Sequence, residues 1–153
     1  MTAKLWKKSR GKLGPFSPLH GAWVAEGDSP RGPMRCTRVI ESSLAGKYLA
    51  MKVRWEFGPT EAGQVYEEFA LIGVGDDGQV GFWSFTSDGK RSHGVVADVT
   101  DLHPEAVGFV ADMPAGRARM AYWPQVGGGF HWVVESQTKK GWNRFVAHDY
   151  RAA

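Results

Sequence analysis

Leu49-Ala50-Met51-Lys52-Val53-Arg54-Trp55-Glu56-Phe57 alternates strictly, with Leu49, Met51, Val53, Trp55 and Phe57 on one side and Lys52, Arg54 and Glu56 on the other. A period of two is the pattern of a strand with one face buried and one in water. The same rhythm continues outward. Runs of about eight residues are separated by tight polar turns at Asp76-Asp77-Gly78, Ser87-Asp88-Gly89, Met113-Pro114-Ala115-Gly116, Gly127-Gly128-Gly129 and Lys139-Lys140-Gly141. Strands are expected at 22–27, 34–42, 49–57, 64–73, 79–86, 91–100, 106–112, 117–123, 130–137 and 142–151, with a flexible loop at 58–63. No interval leaves room for a long amphipathic helix. Short strands joined by hairpins make a meander, and a ten-stranded antiparallel sheet hides its edges by closing. The fold expected is an all-β, ten-stranded, up-and-down barrel. Small barrels of this kind hold one small ligand in their interior.

The chain has 153 residues, enough for one domain with a proper core. Its aromatic load is high, with seven Trp, eight Phe and four Tyr. Such rings suit strands and also the wall of a ligand cavity. The net charge of +3 is uneven: residues 1–16 hold Lys4, Lys7, Lys8, Arg10 and Lys12 and no acid, while the remaining chain is mildly acidic. That division separates a basic N-terminal tail, 1–18, from a barrel domain, 19–153. It argues against a nucleic-acid-binding domain, which would concentrate basic charge on its body. The tail is expected to be a solvated terminus.

Cys36 is the single cysteine, so no intrachain disulfide can form; a buried, inert thiol is expected. Leu5-Trp6 runs straight into Lys7-Lys8, which is not a signal-peptide pattern, and no apolar stretch is long enough to span a bilayer. A cytoplasmic location is the expectation, and nothing argues against a homodimer.

Phosphate-binding glycine loops, paired zinc ligands and a nucleophile elbow are all absent. What chemistry there is gathers on the strand at 142–151. Its even face carries Trp142, Arg144, Val146, His148 and Tyr150, and its odd face carries Asn143, Phe145, Ala147, Asp149 and Arg151. With the even face inward, an Arg, a His and a Tyr hydroxyl share the cavity. A buried cation requires a partner, supplied either by an acidic ligand group or from within by Glu67 or Glu68. Alternation also turns Ala118, Met120 and Tyr122 inward, as it does Phe130, Trp132 and Val134. Trp55, Tyr122, Trp132 and Trp142 then form a wide apolar wall, and His93 points inward beside Val95, Ala97 and Val99. Alternatively these rings meet at the centre and leave no cavity.

Gly21-Ala22-Trp23 at the first strand resembles the Gly-x-Trp signature of the calycin superfamily. With ten strands and an end at Tyr150-Arg151, the chain looks closest to a lipocalin-like bacterial family of unknown function related to nitrobindin and fatty-acid-binding proteins. The resemblance implies structural roles for Gly21 and Trp23, with the Trp packed across the closed end. Departures are visible. The connection 28–33 cannot hold the two helices of fatty-acid-binding proteins. Their Arg-x-Tyr for the ligand carboxylate reads His148-Asp149-Tyr150 here, with Arg144 four residues earlier. Nitrobindin-like proteins bind haem through a C-terminal His, a part open to His148, and the opening motif here lacks their middle glycine.

The function expected is binding of a small hydrophobic or amphipathic ligand, carboxylate-bearing if Arg144 meets it, by Trp55, Tyr122, Trp132, Trp142, Arg144, His148 and Tyr150. No cofactor is required by this reading. Its alternatives are a haem barrel ligated by His148 or His93, an acid–base enzyme using His148 and Tyr150, and an interaction protein working through its basic tail with a filled barrel.

Overall fold

The structure, a computed structural model, describes residues 4–58 and 64–153; most of the loop expected at 58–63 lies outside the described residues. Ten strands follow a short 3₁₀ helix, Gly14–Leu19. They are β1 (Gly21–Ser29), β2 (Gly32–Ser43), β3 (Tyr48–Phe57), β4 (Val65–Val74), β5 (Val80–Thr86), β6 (Arg91–Ala97), β7 (Val107–Met113), β8 (Gly116–Pro124), β9 (Phe130–Thr138) and β10 (Gly141–Ala152). Each pairs antiparallel with its sequence neighbours, and β10 returns to β1, so the sheet is a closed up-and-down barrel. The expected architecture is therefore the observed one. Strand β6 ends at Ala97, short of the expected Thr100, because Asp98 accepts hydrogen bonds from the Thr100 backbone N–H and hydroxyl and turns the chain.

One end of the barrel is filled. Phe16 and Leu19 of the 3₁₀ helix are buried, and Phe16 stacks on Phe109 at 4.9 Å. Trp23 donates its indole N–H to the Leu19 carbonyl at 2.7 Å and meets Phe130 edge-on at 5.0 Å. Gly21 has φ +142°, and a side chain there would come within 3.3 Å of the Trp23 ring. The Gly21-x-Trp23 pair thus anchors the plug. The basic segment was expected in solvent, yet it docks at this end. Its lysines face water, but Trp6 packs on the core and Glu105 accepts the Leu5 and Trp6 backbone N–H groups, both at 3.0 Å. Lys12 also donates to the Gly78 carbonyl, so packing and hydrogen bonds together place the segment.

A β-bulge in β10 decides which side chains face inward. Arg144 pairs with Glu135 and Val146 with Val134, leaving Phe145 as the extra residue. One inserted residue exchanges the faces of everything before it relative to everything after it. Val146, His148 and Tyr150 point inward, opposite the interior residues Val134, Trp132 and Phe130. Trp142 and Arg144 therefore lie on the outer wall, which corrects the expectation that the whole even face lines the cavity.

Candidate functional site

Strand β2 brings an arginine to the middle of the barrel. Met34, Cys36 and Ile40 form its buried stripe, and Arg38 stands in the same register at 0% exposure. Its Nη1 approaches Met51 Sδ at 2.9 Å and donates to the Tyr122 hydroxyl at 3.5 Å, while Nη2 donates to the Tyr150 hydroxyl at 3.2 Å. Its guanidinium carbon lies 4.6 Å from the Trp132 ring centre and 5.0 Å from that of Tyr150. Arg38 Nε is buried with no acceptor, and Arg38 forms no ion pair among the described residues. Glu68 faces the same interior but is engaged by the Ser84 hydroxyl, and it acts on Arg38 through the field rather than by contact. Glu67, the other carboxylate considered, is exposed and pairs with Arg54 at 3.6 Å.

Tyr150 ties this cation to its neighbours. Its hydroxyl lies 3.0 Å from Cys36 Sγ and 3.1 Å from His148 Nδ1 while accepting from Arg38. Burial opposes the charge on Arg38, but the oxygens of Tyr150 and Tyr122 and the Glu68 carboxylate outweigh it, so its pKa rises and the cation persists. Burial also pushes Tyr122 up to about 12 and Tyr150 higher still, against the pull of Arg38. The Cys36 thiol is raised by its burial as well, in keeping with the inert thiol expected. His148 is depressed to about 4, first by burial and then by repulsion from Arg38. At neutral pH the cluster is one fixed cation, two neutral phenols, a neutral imidazole and a neutral thiol.

The other end of the barrel is hollow. A cavity of about 640 Å³ is lined by His148, Trp132, Trp55, Tyr66 and Met34 together with chain edges from β1 and β10. A smaller one of about 310 Å³ shares Trp55, Tyr66 and Trp132 and reaches Glu68 and Phe109. Trp132 and His148 form the floor of the larger cavity toward Arg38: Trp132 lies against the guanidinium and His148 meets the Tyr150 hydroxyl, while Arg38 itself does not reach the lining. The barrel is thus filled at one end and open at the other.

Of the residues singled out from sequence, Trp55, Trp132 and His148 line the larger cavity, and Tyr122 and Tyr150 stand beneath its floor beside Arg38. Trp142 and Arg144 do not join them. The Arg119 guanidinium lies 4.4 Å from the Trp142 ring, and Arg144 Nε donates to Glu135 at 3.1 Å on the outer wall. His93 is also outside: it is exposed and stacks on Trp83 at 4.9 Å, because Ser92 and Gly94 take the inward positions of β6. Arg38 is the candidate site residue that sequence reading passed over. Its signal was present in 34–41, where the even positions read Met34, Cys36, Arg38 and Ile40.

No group of His, Cys, Asp and Glu among the described residues is arranged to hold a metal ion. Haem asks for less, a single imidazole facing a cavity. His148 meets that condition, with Nδ1 already engaged by Tyr150 and the ring neutral. No helix of the described residues is long and apolar enough to cross a membrane. In comparisons with protein-family models and with curated proteins, the chain matches none.

Proposed function

We propose that this barrel binds a small amphipathic anion, with its acidic head drawn to Arg38 and its apolar body among Trp55, Tyr66 and Trp132. One observation carries the reading: a guanidinium sits at the centre of a barrel with no carboxylate in contact and with one N–H unpaired. Burying a charge costs several kcal/mol unless it is paired, so a fold that needed only stability would place a hydrocarbon at this position. A carboxylate or comparable oxyanion supplies the missing charge, and the Tyr150 and Tyr122 hydroxyls already stand beside the guanidinium to share its hydrogen bonds. The flat, ring-lined cavity above suits a long-chain or aromatic body. This reading also fits membership of the calycin superfamily, which we propose on the Gly21-x-Trp23 anchor and the ten-strand closure together.

The test is titration with a dansylated long-chain fatty acid, displaced by an unlabelled one. The wild type is expected to bind it, and Arg38→Met to lose roughly tenfold or more in affinity, since a hydrogen bond to a charged group contributes about 1.5–3 kcal/mol. A folded wild type that binds no anionic amphiphile would refute the proposal. A second reading rests on His148. As the neutral imidazole of the cavity floor it suits an axial haem ligand, with Arg38 as the charge that attracts a haem carboxylate. The absorption spectrum of the freshly purified protein decides it: haem gives a Soret band that His148→Ala abolishes.

A further inference from the structure

The wall of the barrel is incomplete where it closes. Strands β1 and β10 pair only at Trp23↔Ala152 and Val24↔Arg151, next to a bond from the Ala153 N–H to the Ala22 carbonyl at 3.0 Å. Beyond Val24 the two strands remain regular on their other sides. β1 keeps its ladder with β2 as far as Ser29↔Gly32, and β10 keeps its ladder with β9 from Tyr150↔Phe130 down to Gly141↔Thr138. Two ordered strand edges therefore face each other unpaired, with backbone groups left free to meet a polar visitor.

The larger cavity lies in this gap. It is lined by 26–31 on one side and 145–149 on the other, and it continues inward to Trp55, Tyr66 and Trp132. The inner lip is small: Gly27 faces inward beside Met34, and a Cβ placed on it meets nothing within 4 Å. At the zipped end of the gap, Arg151 Nη2 donates to Glu26 Oε1 at 2.7 Å across the seam. Immediately inside that ion pair stand Cys36, which is the ladder partner of Ala25, and Tyr150, which touches Arg38.

We propose that the anionic ligand reaches Arg38 sideways, through the slot between β1 and β10, with the Glu26–Arg151 pair fixing the slot's inner end. This inference rests on the binding function proposed above. The slot leads to Trp132 and His148, the two lining residues that touch Arg38 and its partner Tyr150, so the acidic head reaches the cation where these two side chains give way. The ladder between β6 and β7 is also short, running only from Val95↔Val110 to Ala97↔Gly108, but none of the three cavities beside it is lined by His148.

Continuing the register set by Val24↔Arg151 places Asp28 opposite Ala147, both exposed on the outer surface. The double variant Asp28→Cys/Ala147→Cys, bridged by a short bis-maleimide, closes the slot from outside without filling the cavity; Cys36 is fully buried and out of the reagent's reach. Association and release of the dansylated fatty acid are then followed by stopped flow. The bridged protein should slow both by about tenfold or more while its affinity stays within about twofold, as expected for a gate and not a contact. The unbridged variant, whose two positions lie at the cavity mouth, is the reference against which the bridged protein is read. Gly27→Phe, which puts a ring into the inner lip, should slow both rates without any reagent. Unchanged rates in the bridged protein, or in folded Gly27→Phe, overturn the slot while leaving the binding function standing. A folded wild type that fails to bind the probe overturns the binding function and the slot with it.

Discussion

Arg38 and Arg119 are both buried cations, at 0% and 7% exposure, and the barrel treats them in opposite ways. Arg119, on the outer wall, is fully neutralised. Its Nε donates to Glu135 at 2.8 Å, Nη1 and Nη2 grip the two Asp101 oxygens at 3.0 and 2.9 Å, and Trp142 covers its face. This cluster fixes the connection between β6 and β7 to the wall, beside a small satellite core of Val99, Ala106, Ala121 and Val133. Arg38, at the centre, has two phenols, a thioether and a Trp ring, but no carboxylate. One arrangement is complete in itself. The other leaves its charge without an ion-pair partner among the described residues. The contrast separates a cation paired within the wall from one that the proposed ligand would pair.

The same substitution at the two positions should therefore have opposite consequences. Arg119→Met strands the Glu135 carboxylate and releases Asp101, and is expected to cost about 3 kcal/mol, a fall in Tm of roughly 10 °C by calorimetry. Arg38→Met removes from the core a charge that no carboxylate of the described residues touches. Denaturant unfolding should show stability unchanged or raised by about 1 kcal/mol while affinity for the anion falls by about tenfold or more. A large destabilisation by Arg38→Met would break the comparison by making Arg38 structural.

Acid sharpens it further. The folded pKa of His148 lies near 4, below its ordinary 6.5, because burial and Arg38 disfavour the imidazolium. The unfolded chain then takes up a proton that the folded one refuses. The stability contributed is complete above pH 6.5 and is lost as the pH falls from there toward 4. His148→Gln should remove that slope, and Arg38→Met should shrink it by relieving the repulsion, both read from urea unfolding across this pH range. The smallest effect belongs to Trp142→Ala. It uncovers Arg119 and should cost about 1 kcal/mol of stability with no change in ligand affinity. A clear loss of affinity there would move Trp142 back to the ligand.

The fold was legible because alternation and turn residues are local. The pattern of 49–57 and the glycine turns fixed strand number and order, and a meander of that length has to close. The faces of β3, β8 and β9 followed from the same alternation. Two features were not legible. The bulge at Phe145 shifts the register of β10 through its pairing with β9, so nothing within 142–151 marks that Trp142 and Arg144 turn outward while His148 and Tyr150 turn inward. Arg38 was readable as a position but not as a site. An arginine on an apolar stripe becomes informative once Tyr122, Tyr150 and Trp132 are known to surround it, and those three come from strands far along the chain. The sequence called for an interior arginine beside a His and a Tyr hydroxyl. The structure supplies one from β2 instead of β10.

The most direct test of an unsatisfied central cation is a matched pair of ligands, a long-chain carboxylic acid and its methyl ester, titrated against wild type and Arg38→Met. The account predicts that the wild type prefers the acid by about tenfold or more, as one charge-assisted hydrogen bond provides, and that the variant binds acid and ester alike. Equal binding of the two by the wild type, or a preference that survives in Arg38→Met, would contradict it.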